Sequence, residues 1–107
     1  MAKLALDTSR TGATTVVTLT GELDLAGAAA LEHELDGGAA GAVVLDLRGL
    51  QFMDSTGLRA IVVAALEAER AGGSLALVPG PEPVMRVFDV TRMRERLTFV
   101  APPEAPA

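Results

Sequence analysis

The sequence contains no cysteine among its 107 residues. This absence excludes disulfide bonds and thiolate metal sites, and it is typical of a protein in a reducing interior. Long hydrophobic runs are also missing, because the longest mostly apolar stretch, residues 58–66, is well short of the roughly 20 residues that a bilayer requires. Residues 1–3 show no signal-peptide pattern, so we expect a cytoplasmic protein.

Basic side chains are outnumbered, with 9 Lys and Arg against 14 Asp and Glu, for a net charge of −5. A domain of this sign repels phosphate backbones and anionic lipids, so neither nucleic acid nor a membrane is an expected partner. The single histidine, His33, lies between Glu32 and Glu34 with no cysteine or second imidazole to complete a zinc site. We therefore predict no metal and no cofactor, and interpret His33 as a solvated surface residue.

The first half of the chain predicts a hairpin followed by a helix. We expect strands at residues 4–8 and 15–20, joined by a turn at Ser9-Arg10-Thr11-Gly12, with Val17 and Leu19 facing inward. Gly21-Glu22-Leu23-Asp24 is predicted to be a loop. Asp24 is a suitable N-cap for a helix over residues 25–35 that ends at Gly37-Gly38.

The second half predicts strands alternating with helices. Residues 42–47 form a central strand, and a short turn leads to a helix beginning at Ser55 and ending at Gly72-Gly73. The apolar spacing assigns this helix a buried stripe, which consists of Leu58, Ile61, Val62, Ala65 and Leu66.

The remaining elements are a strand at residues 75–78, a short helix after Pro79-Gly80-Pro81 and a last short strand at residues 97–100. The helix is expected to bury Val84, Val87 and Phe88. The order β-β-α-β-α-β-α-β indicates one α/β domain over residues 1–100, with a mixed four- to five-stranded sheet and helices. Residues 101–107, which contain three prolines, are predicted to be a flexible tail.

The segment Asp54-Ser55-Thr56-Gly57 places hydroxyls and backbone N–H groups at a positive helix end, where a phosphate is well received. Ordinary helix capping explains the same residues equally simply. A nucleophile elbow and a phosphate-binding loop both fail, because their glycines, and the lysine of the loop, are absent.

Four motifs together resemble the STAS domain of bacterial anti-sigma factor antagonists over roughly residues 4–100. They are Gly21-Glu22-Leu23-Asp24, Leu45-Asp46-Leu47, Phe52-Met53-Asp54-Ser55-Thr56-Gly57-Leu58, and Gly72-Gly73 before an apolar strand. The chain departs from the family at Thr91-Arg92-Met93, where members usually carry Thr-Gly-Leu, and an altered turn is expected there.

The resemblance implies a non-enzymatic binding module that acts in partner switching. An unphosphorylated member binds an anti-sigma factor that is also an ATP-dependent serine kinase, and it is released when the serine after the aspartate is phosphorylated. Ser55 holds that position, and Thr56 is a secondary candidate. The implied partners are the kinase, which brings its own ATP, and a serine phosphatase.

The resemblance also implies a partner-binding surface around Ser55, which comprises Glu22, Asp24, Asp54, Ser55, Thr56 and Gly57. Asp24 and Asp54 could equally be plain caps, and the two roles are compatible. Arg59, Val63 and Glu67 are expected on the side of the helix away from the core, and we include Arg59 and Val63 in the partner surface. An ordinary solvated face is the alternative there. The cluster of Arg92, Arg94, Glu95 and Arg96 is interpreted as a charged surface face.

Two other functions are compatible with a small domain of this kind. Single STAS domains also resemble regulatory subunits of transporter ATPases, and the Asp-Ser-x-Gly motif does not distinguish that role from the first. A small hydrolase using Ser55 and His33 is disfavoured because no oxyanion loop accompanies them.

Overall fold

The computed structural model describes residues 3–36 and 41–102. It begins with a hairpin of two antiparallel strands, β1 (Ala5–Thr11) and β2 (Thr14–Leu23). Val17 and Leu19 are buried, as predicted. The turn consists of Gly12 and Ala13 alone, so the prediction of a turn over Ser9-Arg10-Thr11-Gly12 is wrong for its first three residues, which pair with β2.

A parallel strand pair forms the centre of the molecule. After helix α1 (Leu25–Leu35), which has the predicted bounds, β3 (Ala42–Met53) runs parallel to β2. Gly37-Gly38, the predicted end of α1, lies outside the described residues.

Both central strands are longer than the sequence indicates. The expected loop at Gly21-Glu22-Leu23 and the expected turn before Asp54 are wrong, since pairing continues to Leu23 opposite Met53. Two register shifts, at Thr18/Thr20 and at Gly21/Glu22, allow the pair to extend past its irregular positions. Leu23 and Met53 are both buried, which favours the continued pairing.

Helix α2 (Ser55–Arg70) ends in the turn that its glycines predict. The N–H of Gly72 donates to the carbonyl of Glu69 (3.0 Å), and the N–H of Gly73 donates to the carbonyl of Ala68 (2.8 Å). Gly72 has a φ of 82°, and the pattern is that of a Schellman motif. Strand β4 (Ser74–Val78) follows at once and pairs parallel with β3.

The C-terminal part consists of α3 (Glu82–Val90), a 3-10 turn (Met93–Glu95) and β5 (Thr98–Phe99), which is shorter than predicted. The rings of Phe88 and Phe99 meet edge to face at 5.4 Å, which holds α3 against β5. Residues 101–102 are exposed and have no regular structure, and the rest of the predicted tail lies outside the described residues.

The turn after α3 contains Thr91-Arg92-Met93, the segment that departs from the family pattern. Arg92 has a φ of 61°, the left-handed conformation that a glycine adopts easily. The Thr91 hydroxyl donates to the carbonyls of Val87 (2.7 Å) and Phe88 (3.2 Å) at the helix end. A non-glycine residue therefore occupies a left-handed position in this turn.

The five strands form one mixed sheet in the order β1-β2-β3-β4-β5, with only β1 antiparallel to its neighbour. The α/β class and the element order are confirmed. The apolar residues of the strands and all three helices share one core, whose largest fully buried members are Phe88, Leu19, Leu23, Leu31, Leu45, Leu47, Leu50 and Ile61. No helix in residues 3–36 or 41–102 is long and apolar enough to cross a membrane.

The set of buried residues on α2 differs in part from the prediction. Leu58 and Ile61 are buried as expected, but Leu66 is 50% exposed, and Ala60 is buried in its place. The difference arises because α1 packs against α2 and covers the side of the helix that carries Ala60. Val62 and Ala65 are half-buried.

Asp46 is a buried carboxylate in the middle of β3. Its oxygens accept hydrogen bonds from the Arg48 guanidinium, at 2.7 Å from Nη2 and 3.0 Å from Nε, and from the Arg48 backbone N–H at 3.1 Å. The hydrogen bonds from the Arg48 side chain hold the pKa of Asp46 below its ordinary value, and they outweigh the opposing effect of burial.

Candidate functional site

Two helix N-termini lie side by side at one edge of the sheet. β2 and β3 are parallel, so their carboxyl ends meet at this edge, with Leu23 paired to Met53. The next residue in each strand is an aspartate, Asp24 or Asp54, and a helix follows immediately. The N–H of Asp54 donates to the carbonyl of Leu23 at 3.4 Å, which joins the two ends.

Each aspartate caps its helix, as predicted. The Asp24 carboxylate accepts from the N–H of Gly27 at 2.9 Å, and the Asp54 carboxylate accepts from the N–H of Gly57 at 3.0 Å. The same Asp-x-x-Gly spacing therefore produces the same local geometry twice. Such caps satisfy amides that the first helical turn leaves without a partner.

The two glycines let the helix ends press against β2. A Cβ atom on Gly57 would clash with the carbonyl oxygen of Leu23 and lie 2.7 Å from its Cγ, and one on Gly27 would lie 2.8 Å from the carbonyl oxygen of Glu22. Both glycines are buried. Gly57 thus positions the start of α2 and is not itself part of the exposed surface.

Ser55 is the first residue of α2 and is exposed to solvent. Its hydroxyl forms no hydrogen bond within residues 3–36 and 41–102, and the amides of Ser55 and Thr56 have no acceptor there. Thr56 is half-buried. The site consequently combines an accessible hydroxyl with two unpaired N–H donors at the positive end of a long helix.

Exposed apolar side chains flank the serine at the same edge. Leu25, the first residue of α1, is 73% exposed, and Phe52, near the end of β3, is 45% exposed. Glu22 pairs with Phe52 across the strands and is half-buried. The sequence interpretation missed Leu25 and Phe52, although adjacent residues of a strand face opposite sides, so Phe52 and Met53 could not both enter the core.

The outward side of α2 differs from its prediction. Arg59 is exposed as expected, but Val63 is half-buried and lines a groove against α1 together with Glu67. The exposed apolar residue of this helix is Leu66. The prediction of an exposed valine is therefore wrong.

Ser55 and His33 are not brought together. His33 is exposed near the end of α1, eight residues beyond Leu25, and a helix rises about 1.5 Å per residue. The imidazole therefore lies roughly 12 Å along α1 from the edge that carries Ser55. Within the described residues, no three His, Asp or Glu side chains converge as metal ligands.

Comparison with protein families places this arrangement in a known class. The family model described as "Mlab, STAS domain" matches residues 6–101, so the chain belongs to the STAS domain family.

Among solved structures, an anti-sigma factor antagonist from Mycobacterium paratuberculosis is similar at 20% identity and a TM-score of 0.81, over 94% of this chain and 88% of that chain. The unphosphorylated form of the anti-sigma factor antagonist SpoIIAA is similar at 24% identity and a TM-score of 0.75, over 91% and 89%. The phosphorylated form of SpoIIAA from Bacillus gives 26% identity and a TM-score of 0.69, over 91% and 92%. A comparison with curated proteins finds no match.

Proposed function

We propose that this protein is a bacterial, cytoplasmic anti-sigma factor antagonist that is controlled by phosphorylation of Ser55. In this proposal the unmodified protein binds an anti-sigma factor serine kinase and draws it away from its sigma factor. Phosphorylation releases the kinase, and a serine phosphatase restores binding. The observation that carries the proposal is the exposed, unbonded hydroxyl of Ser55 at the start of α2.

The geometry suits a phosphate without a change of fold. A phosphoserine carries close to two negative charges at neutral pH. The N-terminus of α2 stabilises an anion by about 0.3–2 kcal/mol, and the amides of Ser55 and Thr56 are available as donors. We therefore expect the phosphorylated domain to stay folded, so that phosphorylation changes mainly the affinity.

The same charge is unfavourable at an interface. A partner carboxylate about 6 Å from the phosphate meets roughly 3 kcal/mol of repulsion per charge pair at an effective dielectric constant of about 20. This energy corresponds to about a hundredfold loss of affinity. One well-placed acidic residue of the kinase is therefore enough to make the serine a switch.

The partner surface in this proposal extends around Ser55 over both helix ends. It includes Glu22, Asp24, Asp54 and Thr56, with Arg59 on the outward side of α2. Leu25 and Phe52 add apolar area that becomes buried on binding. The domain itself contributes no catalysis, because the kinase supplies the nucleotide site and the catalytic base.

Incubation with any anti-sigma factor serine kinase that is encoded beside this gene tests the proposal. With ATP and magnesium present, we expect mass spectrometry to find one phosphate, at Ser55. Ser55→Ala is expected to bind the kinase and resist release by ATP, Ser55→Asp to bind about a hundredfold more weakly, and Thr56→Ala to behave as the parent protein. Full phosphorylation of Ser55→Ala, or binding of Ser55→Asp as tight as that of the parent protein, would refute the switch.

Co-purification with a transporter ATPase in place of the kinase would support the alternative role as a regulatory subunit.

A further inference from the structure

An open groove lies between α1 and α2, far from Ser55. Its floor is formed by Val43 and Leu75, which pair with each other near the starts of β3 and β4. Ser55 follows the opposite, carboxyl end of β3. The groove has a volume of about 450 Å³, within the range of roughly 300–1,000 Å³ that small-molecule clefts occupy.

Small residues on α2 create this space. The side of α2 that faces α1 carries three alanines, Ala60, Ala64 and Ala68, and Ala71 follows at the C-cap of the helix. Opposite them, α1 contributes Leu31 and Leu35. Helices pack with their axes about 8–10 Å apart, and alanine methyl groups leave much of that separation unfilled.

The charged residues that line the groove are all acidic. Glu32 and Asp36 come from α1, and Glu67 comes from α2. None of these carboxylates forms an ion pair or a side-chain hydrogen bond with another described residue, and no Lys, Arg or His is among the described residues lining the groove. An apolar floor is therefore bordered by uncompensated negative charge.

We propose that this groove binds a small amphiphilic organic cation, with an alkyl group on the floor and a protonated amine beside the carboxylates. Apolar burial against the half-buried side chains of Leu35, Val63 and Leu75 supplies the attraction, and the three carboxylates select the charge. The volume suits a small molecule, since clefts of roughly 300–1,000 Å³ hold such ligands. The site does not depend on the proposed function, because Ser55 lies at the other end of the sheet.

Titration of the full-length chain with n-octylamine, followed by methyl-resolved NMR, tests the proposal. We expect the methyl signals of Leu31, Leu35, Val43 and Val63 to shift saturably at neutral pH. Octanoate, which has the same chain length and the opposite charge, is expected to leave them in place at equal concentration. Absence of a saturable shift with octylamine, or an equal response to octanoate, would overturn the proposal.

Two variants locate the binding. Glu67→Gln is expected to weaken octylamine binding about two- to fivefold, whereas Glu69→Gln, on the same helix but outside the groove, is expected to leave it unchanged. Ala64→Leu, which fills the groove, is expected to weaken it at least about tenfold without lowering the melting temperature. If Ala64→Leu is unstable, the double variant Glu32→Gln/Glu67→Gln replaces it, because it changes no apolar contact. Parent-like affinity in that double variant contradicts the assignment.

Discussion

At the residue scale, Arg92 has a left-handed backbone conformation at a position where the family pattern carries glycine. With a φ of 61°, Arg92 adopts a conformation that costs a non-glycine residue about 1–2 kcal/mol. Glycine relieves this cost but adds conformational entropy to the unfolded chain.

We therefore expect Arg92→Gly to raise the free energy of unfolding by about 0.5–1 kcal/mol, as measured by urea denaturation. Arg96→Gly is the control, because Arg96 has a φ of −97°, where glycine offers no relief. That variant should be neutral or slightly destabilised. A loss of stability in Arg92→Gly as large as in the control would show that the left-handed backbone is not strained.

Gly57 is the residue on which the position of Ser55 depends most directly. A methyl group there would meet the backbone of Leu23, which cannot move without disturbing the pairing of β2 and β3. Gly57→Ala is expected to lower the free energy of unfolding by about 1–3 kcal/mol. Thr56→Ala, one residue earlier and half-buried, should change it by no more than about 0.5 kcal/mol. Chemical denaturation of the parent protein and the two variants measures these changes. An unchanged free energy of unfolding in Gly57→Ala would contradict the close approach of Gly57 to Leu23.

At the element scale, the sequence predicts most accurately those features that depend on interactions between residues close together in the chain. The caps at Asp24 and Asp54 and the glycine stop of α2 each involve residues within about five positions of one another, so the sequence alone identifies them. The ends of β2 and β3 depend on pairing between Leu23 and Met53, thirty positions apart, and they were placed too early for that reason. Neither end carries a local signal that indicates pairing across two register shifts.

The orientation of α2 was the other element-level error, and it matters for the candidate site. Apolar periodicity identified Leu58 and Ile61 as buried. Which neighbouring side of α2 is also buried depends on where α1 packs. Ser55 was identified from its motif. Phe52 was missed because β3 was predicted to end at residue 47, so the alternation of side chains was not followed to Phe52, and Leu25 was missed because leucines are usually buried. Exposed apolar residues beside the serine are a property of the tertiary structure.

These exposed residues lead to a prediction about binding. Leu25→Ala is expected to weaken binding of the unphosphorylated protein to the anti-sigma factor kinase about tenfold, since truncating an apolar anchor at an interface costs more than 1 kcal/mol. Its stability should hardly change, because Leu25 is 73% exposed. Val90→Ala is the matched control, with a residue 75% exposed at the far end of α3. Calorimetric titration of both variants against the kinase measures the difference, and equal affinities would exclude Leu25 from the interface.

At the scale of the whole molecule, the domain has a covered sheet face, with the core beneath three helices, and an ion pair in β3 that joins the buried carboxylate of Asp46 to the half-exposed side chain of Arg48. Asp46 and Arg48 belong to the strand that ends at the Ser55 site, so their pairing helps to fix that strand. The sequence interpretation missed this pair, although Asp46 and Arg48 are two residues apart in one strand and side chains at that spacing share a face.

The ion pair makes the free energy of unfolding depend on pH, and the protein loses stability at acidic pH. The pKa of Asp46 is lower in the folded protein than in the unfolded chain. Its contribution to stability is therefore fully present when the pH is above the pKa that Asp46 has in the unfolded chain. It is lost as the pH falls through the folded pKa. Stability at acidic pH should thus decline more in the parent protein than in Asp46→Asn, which has no carboxyl group to protonate.

At neutral pH, Asp46→Asn is expected to lower the free energy of unfolding by about 1.5–3 kcal/mol, the range for hydrogen bonds to charged groups. Asp89→Asn is the control, because the Asp89–Arg94 pair has side chains about half exposed and contributes at most about 1 kcal/mol. Urea denaturation of all three proteins from neutral to strongly acidic pH measures both effects. If the gap between the parent protein and Asp46→Asn stays constant across that range, Asp46 is not the group whose protonation weakens the fold.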